Sequence, residues 1–165
     1  MPMITIYTDS SYNEANQVAG IGCVAIEGEK RRIFSTYHKL SSNNEGELFA
    51  IWYALLIYPN KPVKVYTDSQ TAISYINGNV REDKPLTLKQ RENRARLRIL
   101  AYKINQLRKN NPSFQIEHIK AHTNRYQVHY IQNQMADLLA KEGIAKFFAS
   151  QKVALAIHKN CIKTK

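Results

Sequence analysis

Cysteine is scarce in this chain of 165 residues, which contains only Cys23 and Cys161. Two cysteines cannot build a disulfide framework, and their separation does not fit the spacing of metal ligands. We expect Cys23, in an apolar run, to be a buried core residue, and Cys161, in a polar tail, to be an exposed thiol. This usage is typical of a reducing compartment and predicts a cytoplasmic location.

Long apolar runs are also missing. No stretch is long enough to span a bilayer, and the N-terminus lacks the basic and apolar regions of a secretory signal. We therefore expect a soluble protein with no membrane partner. The length and the hydrophobic fraction of 44% suit one domain with one core, predicted over residues 1–150 and followed by a basic C-terminal tail at 151–165. That tail is either an electrostatic arm or a frayed terminus.

Acidic residues are outnumbered, with 13 Asp and Glu against 24 Lys and Arg, so the net charge is +11. Such an excess favours a polyanionic partner, nucleic acid first and an anionic membrane surface second. The alternative is a basic protein that its charge keeps soluble. Composition therefore makes nucleic acid the first candidate partner without identifying it.

The hydrophobic pattern predicts the element order β-β-β-α-β-α-α-β-α. The first three strands have connections too short for a parallel crossover and should form an antiparallel meander, whereas the strands separated by helices should be parallel. The fold class is therefore α/β, with a mixed five-stranded sheet flanked by helices. The predicted strands are 4–8, 18–26, 31–40, 63–67 and 114–119. The predicted helices are one beginning within 41–44 and those at 71–77, 88–109 and 131–149, with a polar loop at 120–130. The residues predicted to face inward are Leu97, Leu100, Ile104 and Leu107 in the third helix, and Met135, Leu138 and Leu139 in the last.

Four acidic residues stand in distinctive places within this pattern. Asp9 and Asp68 each end an apolar run, Glu47 lies in the first turn of a helix, and Asp137 lies inside the last helix. If the first and fourth strands are neighbours, Asp9 and Asp68 lie side by side at the carboxyl ends of parallel strands. Hard divalent cations prefer carboxylate oxygens, and a pair of them can drive hydrolysis of a phosphodiester. The four acids are therefore a candidate ligand set for Mg²⁺.

Each acid taken alone also has a simpler explanation. Asp68 can cap the following helix, Asp9 can be a turn residue, and Glu47 can interact with a helix dipole. Asp137 is harder to explain in this way, because a carboxylate between apolar neighbours needs a partner. The combination of the four carries the metal-site prediction.

The combination resembles the type 1 ribonuclease H family (RNase HI-like) over nearly the whole chain. The motifs that carry the resemblance are Tyr7-Thr-Asp-Ser-Ser, Asn43-Asn-Glu-Gly-Glu-Leu, Tyr66-Thr-Asp-Ser-Gln and Ile119-Lys-Ala-His-Thr-Asn with Asn133 and Asp137. Within the second motif, Glu47 matches the family's acid and Glu45 does not. Two positions depart from the pattern, since many relatives have glycine where this chain has Ser10 and Ala121.

The resemblance implies a ribonuclease H-like fold and an endonuclease that cuts the RNA strand of an RNA–DNA hybrid. It implies that Asp9, Glu47, Asp68 and Asp137 hold two Mg²⁺ ions, with Mn²⁺ as the alternative ion. It also implies that His122 assists proton transfer or product departure. Without the flanking motif, His122 would be a solvated loop histidine, and Ala121 puts the freedom of its loop in question.

The resemblance also suggests how the substrate is held. Asn43, Asn44 and Gln70 match family positions that touch the minor groove, although the two asparagines can equally cap a helix. The helix at 88–109 falls where some relatives carry a basic protrusion, and the three arginines that share one flank are Arg91, Arg94 and Arg98. The alternative for this helix is a solvated basic face.

Three functions remain open at this point. The first is a metal-dependent ribonuclease acting on RNA–DNA hybrids. The second is a DNA nuclease or resolvase of related fold, against which the Thr-Asp-Ser-Gln and histidine-loop motifs argue. The third is a non-catalytic nucleic-acid-binding module, against which the presence of all four acids argues. We expect a monomer, and the initial methionine favours a free-standing enzyme over a reverse-transcriptase domain.

Overall fold

The computed structural model of the protein describes residues 2–81, 85–119 and 127–163. The element order and the α/β class are as predicted. The strands are β1 (Ile4–Asn13), β2 (Val18–Glu27), β3 (Lys30–Lys39), β4 (Val63–Thr67) and β5 (Phe114–His118). The helices are α1 (Asn43–Ile57), α2 (Gln70–Ile76), α3 (Leu88–Asn110) and α4 (Gln127–Lys163).

The five strands form one mixed sheet in the order β3-β2-β1-β4-β5, which confirms the predicted architecture. Pairing is antiparallel between β3, β2 and β1, and parallel between β1, β4 and β5. The parallel pairing of β1 with β4 ends at Tyr7 opposite Tyr66. Asp9 and Asp68 each follow two residues later, so both extend beyond the same end of that pairing.

The helices cover the two faces of the sheet unequally. On one face α1 packs against β1 with α3 against α1, and the main core contains Ile6, Ile51, Val65 and Ile104. The predicted inward stripe of α3 is confirmed, since Leu97, Leu100 and Ile104 are buried and Leu107 is half-buried against the same core. On the other face α4 crosses β1, β2 and β3. Among the described helices, none combines the length and the apolar character that a membrane crossing requires.

Several boundaries differ from the sequence prediction. The strand β1 continues to Asn13, so Asp9 lies within a strand, and the prediction that it ends one is wrong. The strand is longer because β2 pairs with it as far as Asn13. The helix α4 begins at Gln127, inside the predicted loop, and its backbone continues through the tail to Lys163. Leu138, predicted to face inward, is 64% exposed, because Ala136, Leu139 and Ala140 fill the inner face.

The helix α4 lies unusually close to β2. A Cβ atom on Gly20 would overlap the carbonyl oxygen of Ala140, and one on Gly22 would overlap that of Ala136. From the helix side, a Cβ atom on Gly143 would overlap the carbonyl oxygen of Thr36. Gly20 and Gly22 of β2 therefore allow the backbones of the strand and the helix to approach closely. This contact determines how near α4, and with it Asp137, comes to the sheet.

We expect Gly22→Ala to destabilise the protein by about 3 kcal/mol or more, because the added methyl group has no space beneath α4. The matched control is Gly28→Ala, where nothing lies within 4 Å and only the positive φ of 61° opposes the substitution. That control should cost about 1–2 kcal/mol. Urea unfolding of both variants measures the difference, and equal losses would contradict the close packing.

Candidate active site

Three carboxylates from separate elements meet at one end of the sheet. Asp9 comes from β1, Glu47 from the first turns of α1, and Asp68 from the end of β4. One carboxylate oxygen from each can be chosen so that all three lie within 4.8 Å of one another. Asp9 and Glu47 are only 8% and 5% exposed, and Asp68 is half-buried. The structure therefore brings three of the four predicted acids into one cluster.

The start of α1 orients Glu47 toward this cluster. Ser42 is the N-cap residue and accepts a hydrogen bond from the Glu45 backbone N–H at 3.2 Å. The Glu45 carboxylate accepts bonds from the backbone and hydroxyl of Ser41, at 2.7 and 2.6 Å, which leaves it outside the cluster. The alternative that Asn43 or Asn44 caps this helix is wrong, because Ser42 does so.

Asp68 is likewise free of a capping role. Ser69 is the N-cap of α2 and accepts from the Ala72 backbone N–H at 3.2 Å, so that alternative is also wrong. Instead, Asn133 of α4 donates from Nδ2 to Asp68 Oδ2 at 2.9 Å. His118 Nε2, at the end of β5, lies 3.1 Å from the Asp68 carbonyl oxygen. Asp68 is thus held from two neighbouring elements.

Asp137 lies near the cluster without joining it. Its Oδ2 accepts a hydrogen bond from Lys141 Nζ at 2.7 Å, one helical turn further along α4. Among the described residues, the group of convergent acids is limited to Asp9, Glu47 and Asp68. Asp137 is still close enough to raise the pKa of Asp9 by its charge.

Burial and mutual repulsion change how these acids titrate. Burial is the largest cause that raises the pKa of Asp9 from 3.8 to about 7, and the charges of Asp68 and Asp137 add to it. Burial also raises the pKa of Glu47 well above its usual range, with the charge of Asp9 as the next cause. A proton on Glu47 can be shared with Asp9, which raises the pKa of Glu47 and lowers that of Asp9. The cluster therefore retains protons at neutral pH until a cation replaces them.

The cluster fits a divalent cation. When Asp9 and Glu47 are both ionised, the buried Oε2 of Glu47 has no hydrogen-bond donor among the described residues. A buried carboxylate oxygen without a donor is costly, whereas oxygen atoms of this kind are what Mg²⁺ and Mn²⁺ bind. Asp9 and Asp68 supply the further oxygen ligands within reach.

The structure describes all but one of the remaining predicted site residues. Asn43, Asn44 and Gln70 are exposed, and so are Arg91 and Arg98 of α3. Half-buried Arg94 lines a cavity of about 250 Å³ between α1, α2 and α3. Asn44 lines the same cavity. His122 lies outside the described residues.

Sequence reasoning missed two residues that bond to the carboxylates of the four acids. Ser10 donates from Oγ to Glu47 Oε1 at 2.9 Å, and Lys141 pairs with Asp137. The i, i+4 spacing of Asp137 and Lys141 is a recognised helical pair and could have indicated the second contact. The first could not be found in this way, because it joins residues 37 positions apart.

Residues 1–145 match the RNase H family. The chain belongs to that family. The predicted family and enzyme class, a ribonuclease H acting on RNA–DNA hybrids, are thereby confirmed. Among curated proteins, none matches this RNase H sequence significantly.

Three solved structures with the same fold share between 19% and 24% of their residues with this chain. RNase H1 from the halophilic archaeon Halobacterium salinarum NRC-1 is 19% identical with a TM-score of 0.67, and the match covers 87% of this chain and 98% of that one. LC11-RNase H1, isolated from compost, is 24% identical with a TM-score of 0.65, covering 90% and 99%. The structure of LC11-RNase H1 in complex with an RNA/DNA hybrid is 23% identical with a TM-score of 0.58, and the match covers 88% of this chain and 99% of that one. At these sequence identities, the structural similarity is evidence for the fold of this RNase H and for nothing beyond the fold.

The raised pKa of Asp9 predicts a pH-dependent stability. The folded protein keeps a proton on Asp9 up to about pH 7, while the unfolded chain loses it near the usual 3.8. The free energy of unfolding of the metal-free protein should therefore fall as pH rises through this window. We expect Asp9→Asn to reduce the fall, of which buried Glu47 keeps its own share. The variant should exceed wild type in free energy of unfolding by about 1–3 kcal/mol at about pH 8, since one pKa unit is about 1.4 kcal/mol.

Urea unfolding in EDTA at about pH 5 and pH 8 measures the effect, with Glu29→Gln in an exposed turn as the control. Added Mg²⁺ should reduce the difference in free energy of unfolding between wild type and Asp9→Asn, because the cation neutralises the charge of the acids. A wild-type protein as stable as Asp9→Asn at the higher pH would contradict the predicted destabilisation by ionised Asp9.

Proposed function

We propose that this RNase H cleaves the RNA strand of RNA–DNA hybrids with two Mg²⁺ ions held by Asp9, Glu47, Asp68 and Asp137. The observation that carries the proposal is the buried cluster of three carboxylates beyond the paired ends of β1 and β4. Asp137 stands beside it on α4, where its present partner is the exposed ammonium of Lys141. A lysine with a 60% exposed side chain can release Asp137 at little cost.

The chemistry divides between the ions and the chain. Bound divalent ions lower the pKa of a coordinated water and neutralise charge on the phosphate. The acids hold them: Asp9 and Glu47 from a buried position, and Asp68 with its carboxylate oriented by Asn133. We retain His122 as the residue that assists proton transfer or product departure, on the basis of its motif.

We propose that the exposed side chains around the cluster contact the hybrid. LC11-RNase H1 has been solved with an RNA/DNA hybrid. In this chain Asn43, Asn44 and Gln70 are exposed next to the cluster, as a contact with the minor groove requires. Amide side chains can bond 2′-hydroxyls and so distinguish RNA from DNA without reading sequence.

We also propose a monomer that works in the cytoplasm, with the helical tail beyond residue 150 as an appendage of the catalytic domain. The free thiol of buried Cys23 is consistent with a reducing compartment. Mg²⁺ is the proposed ion and Mn²⁺ the alternative, because carboxylate oxygens suit both of these hard cations.

The decisive assay offers Mg²⁺ and matched RNA–DNA, RNA–RNA and DNA–DNA duplexes, with an EDTA control. Cutting of the RNA strand of the hybrid alone is the expected result. Cutting of DNA would favour a resolvase-like nuclease. Tight binding without any cutting would favour a non-catalytic module.

Asp68→Asn should lower kcat by about a thousandfold or more, because a neutral amide replaces a charged carboxylate ligand in the catalytic centre. Hybrid binding should remain largely intact, since the exposed contacts are untouched. Glu29→Gln, which removes an exposed acid at the opposite end of the sheet, is the charge-matched control. Full activity of Asp68→Asn would refute the assignment.

Reversal of Arg91, Arg94 and Arg98 to Glu should weaken hybrid binding by about tenfold or more. It should also reduce the slope of log affinity against log salt by about 2 to 3, because each lost phosphate contact contributes about 0.9. The control reverses Lys30, Arg31 and Arg32, which are exposed at the far end of the sheet and change the net charge equally. Titrations at several salt concentrations compare the two, and equal effects would show that only net charge matters.

A further inference from the structure

The hydroxyl of Ser10 touches the cluster of acids directly. Ser10 follows Asp9 on β1, is 7% exposed, and donates from Oγ to Glu47 Oε1 at 2.9 Å. Among the described residues, it is the one hydroxyl or amide donor to the Glu47 carboxylate. A bond from a hydroxyl to a charged acceptor is among the stronger hydrogen bonds in proteins.

This bond makes the two oxygens of Glu47 different. Oε1 accepts from Ser10, whereas buried Oε2 has no donor among the residues that the structure describes. A carboxylate held through one oxygen cannot turn freely about its terminal torsion, which is otherwise broad. Its second oxygen is then directed to one place, as a ligand for a cation needs to be.

The proton of Ser10 belongs to Glu47 and not to the nearby Asn43. The carbonyl oxygen and Oδ1 of Asn43 both lie 3.4 Å from Ser10 Oγ, beyond the usual range of bonds between oxygen atoms. A hydroxyl has a single proton to donate, and the contact at 2.9 Å is the favourable one. The bond to Glu47 is therefore the one that Ser10 makes as a donor.

Packing holds Ser10 and Glu47 together. A Cβ atom on Gly46 would lie 2.7 Å from Ser10 Oγ and 3.0 Å from Ser10 Cβ. Gly46 thus leaves open the space that Ser10 occupies, and Glu47 is the next residue of α1. The strand and the helix are in direct contact at this point, so the backbone of Glu47 has little room to move.

We propose that Ser10 is a positioning residue of the metal site, whose hydroxyl orients Glu47 so that Oε2 meets a divalent ion together with Asp9 and Asp68. The inference rests on the proposed function, because it requires these acids to hold the ion. Loss of the hydroxyl should weaken metal binding, while the hybrid contacts on the surface remain.

The test is Ser10→Ala, which removes the hydroxyl and keeps the Cβ atom beside Gly46. Binding of Mn²⁺ to the protein without substrate is measured from the electron paramagnetic resonance signal of the free ion. We expect the dissociation constant to rise by about tenfold, as for other residues that orient metal ligands. The matched control is Ser113→Ala, an exposed serine in the turn before β5, which should bind as wild type does.

Activity supplies a second readout. High Mn²⁺ should restore kcat of Ser10→Ala, and KM for the hybrid should stay unchanged, because every ligand is still present. A kcat that stays low at saturating Mn²⁺ would overturn a role in metal binding. Thermal unfolding checks that Ser10→Ala is folded. If Ser10→Ala does not fold, Ser10→Gly, which also lacks the hydroxyl, is tested in its place.

Glu47→Gln separates the two possible failures. If Glu47→Gln binds Mn²⁺ as tightly as wild type, the proposed metal site itself is wrong. If Glu47→Gln loses binding while folded Ser10→Ala stays within about twofold of wild type, the role of Ser10 alone is overturned. A loss in both variants, with Ser113→Ala unaffected, supports the proposal.

Discussion

Repulsion between buried carboxylates is the constraint on which this structure depends. Asp9 and Glu47 are buried beside Asp68, and the chain offers Glu47 Oε2 no donor among the described residues. Such an arrangement costs stability unless protons or cations neutralise it. The rest of the fold has to supply the free energy that keeps these groups together, and a divalent ion bound to them would remove much of this cost.

The fold meets this cost by rigid packing around the acids. Gly20 and Gly22 bring α4 onto the backbone of β2, and Asn133 of the same helix bonds to Asp68. On the opposite face, Gly46 admits Ser10 between β1 and α1. Small residues therefore stand where an element that carries an acid packs closely against its neighbour. Because the backbones are in contact, the acids cannot relax apart.

Much of the fold and part of the site could be predicted from local patterns. Alternation and helical spacing gave the right order of elements, and the acid motifs identified Asp9, Glu47 and Asp68 before the elements were assembled. The errors have physical causes. Asp9 lies within β1 because pairing with β2 lengthens the strand. Leu138 is exposed because Ala136 and Ala140 lie on the side of α4 that faces the sheet. The hydrophobicity of Leu138 does not by itself reveal which side that is.

The sequence by itself determined the class of the fold, the family and the residue types of the site, because periodicity and short motifs are local properties. The tertiary structure decided which side chains meet. It alone joined Ser10 to Glu47 and Asn133 to Asp68, and it left Asp137 paired with Lys141 beside the cluster. The contacts of Ser10 with Glu47 and of Asn133 with Asp68 depend on how two elements pack, and no pattern along the chain encodes the distance between those elements.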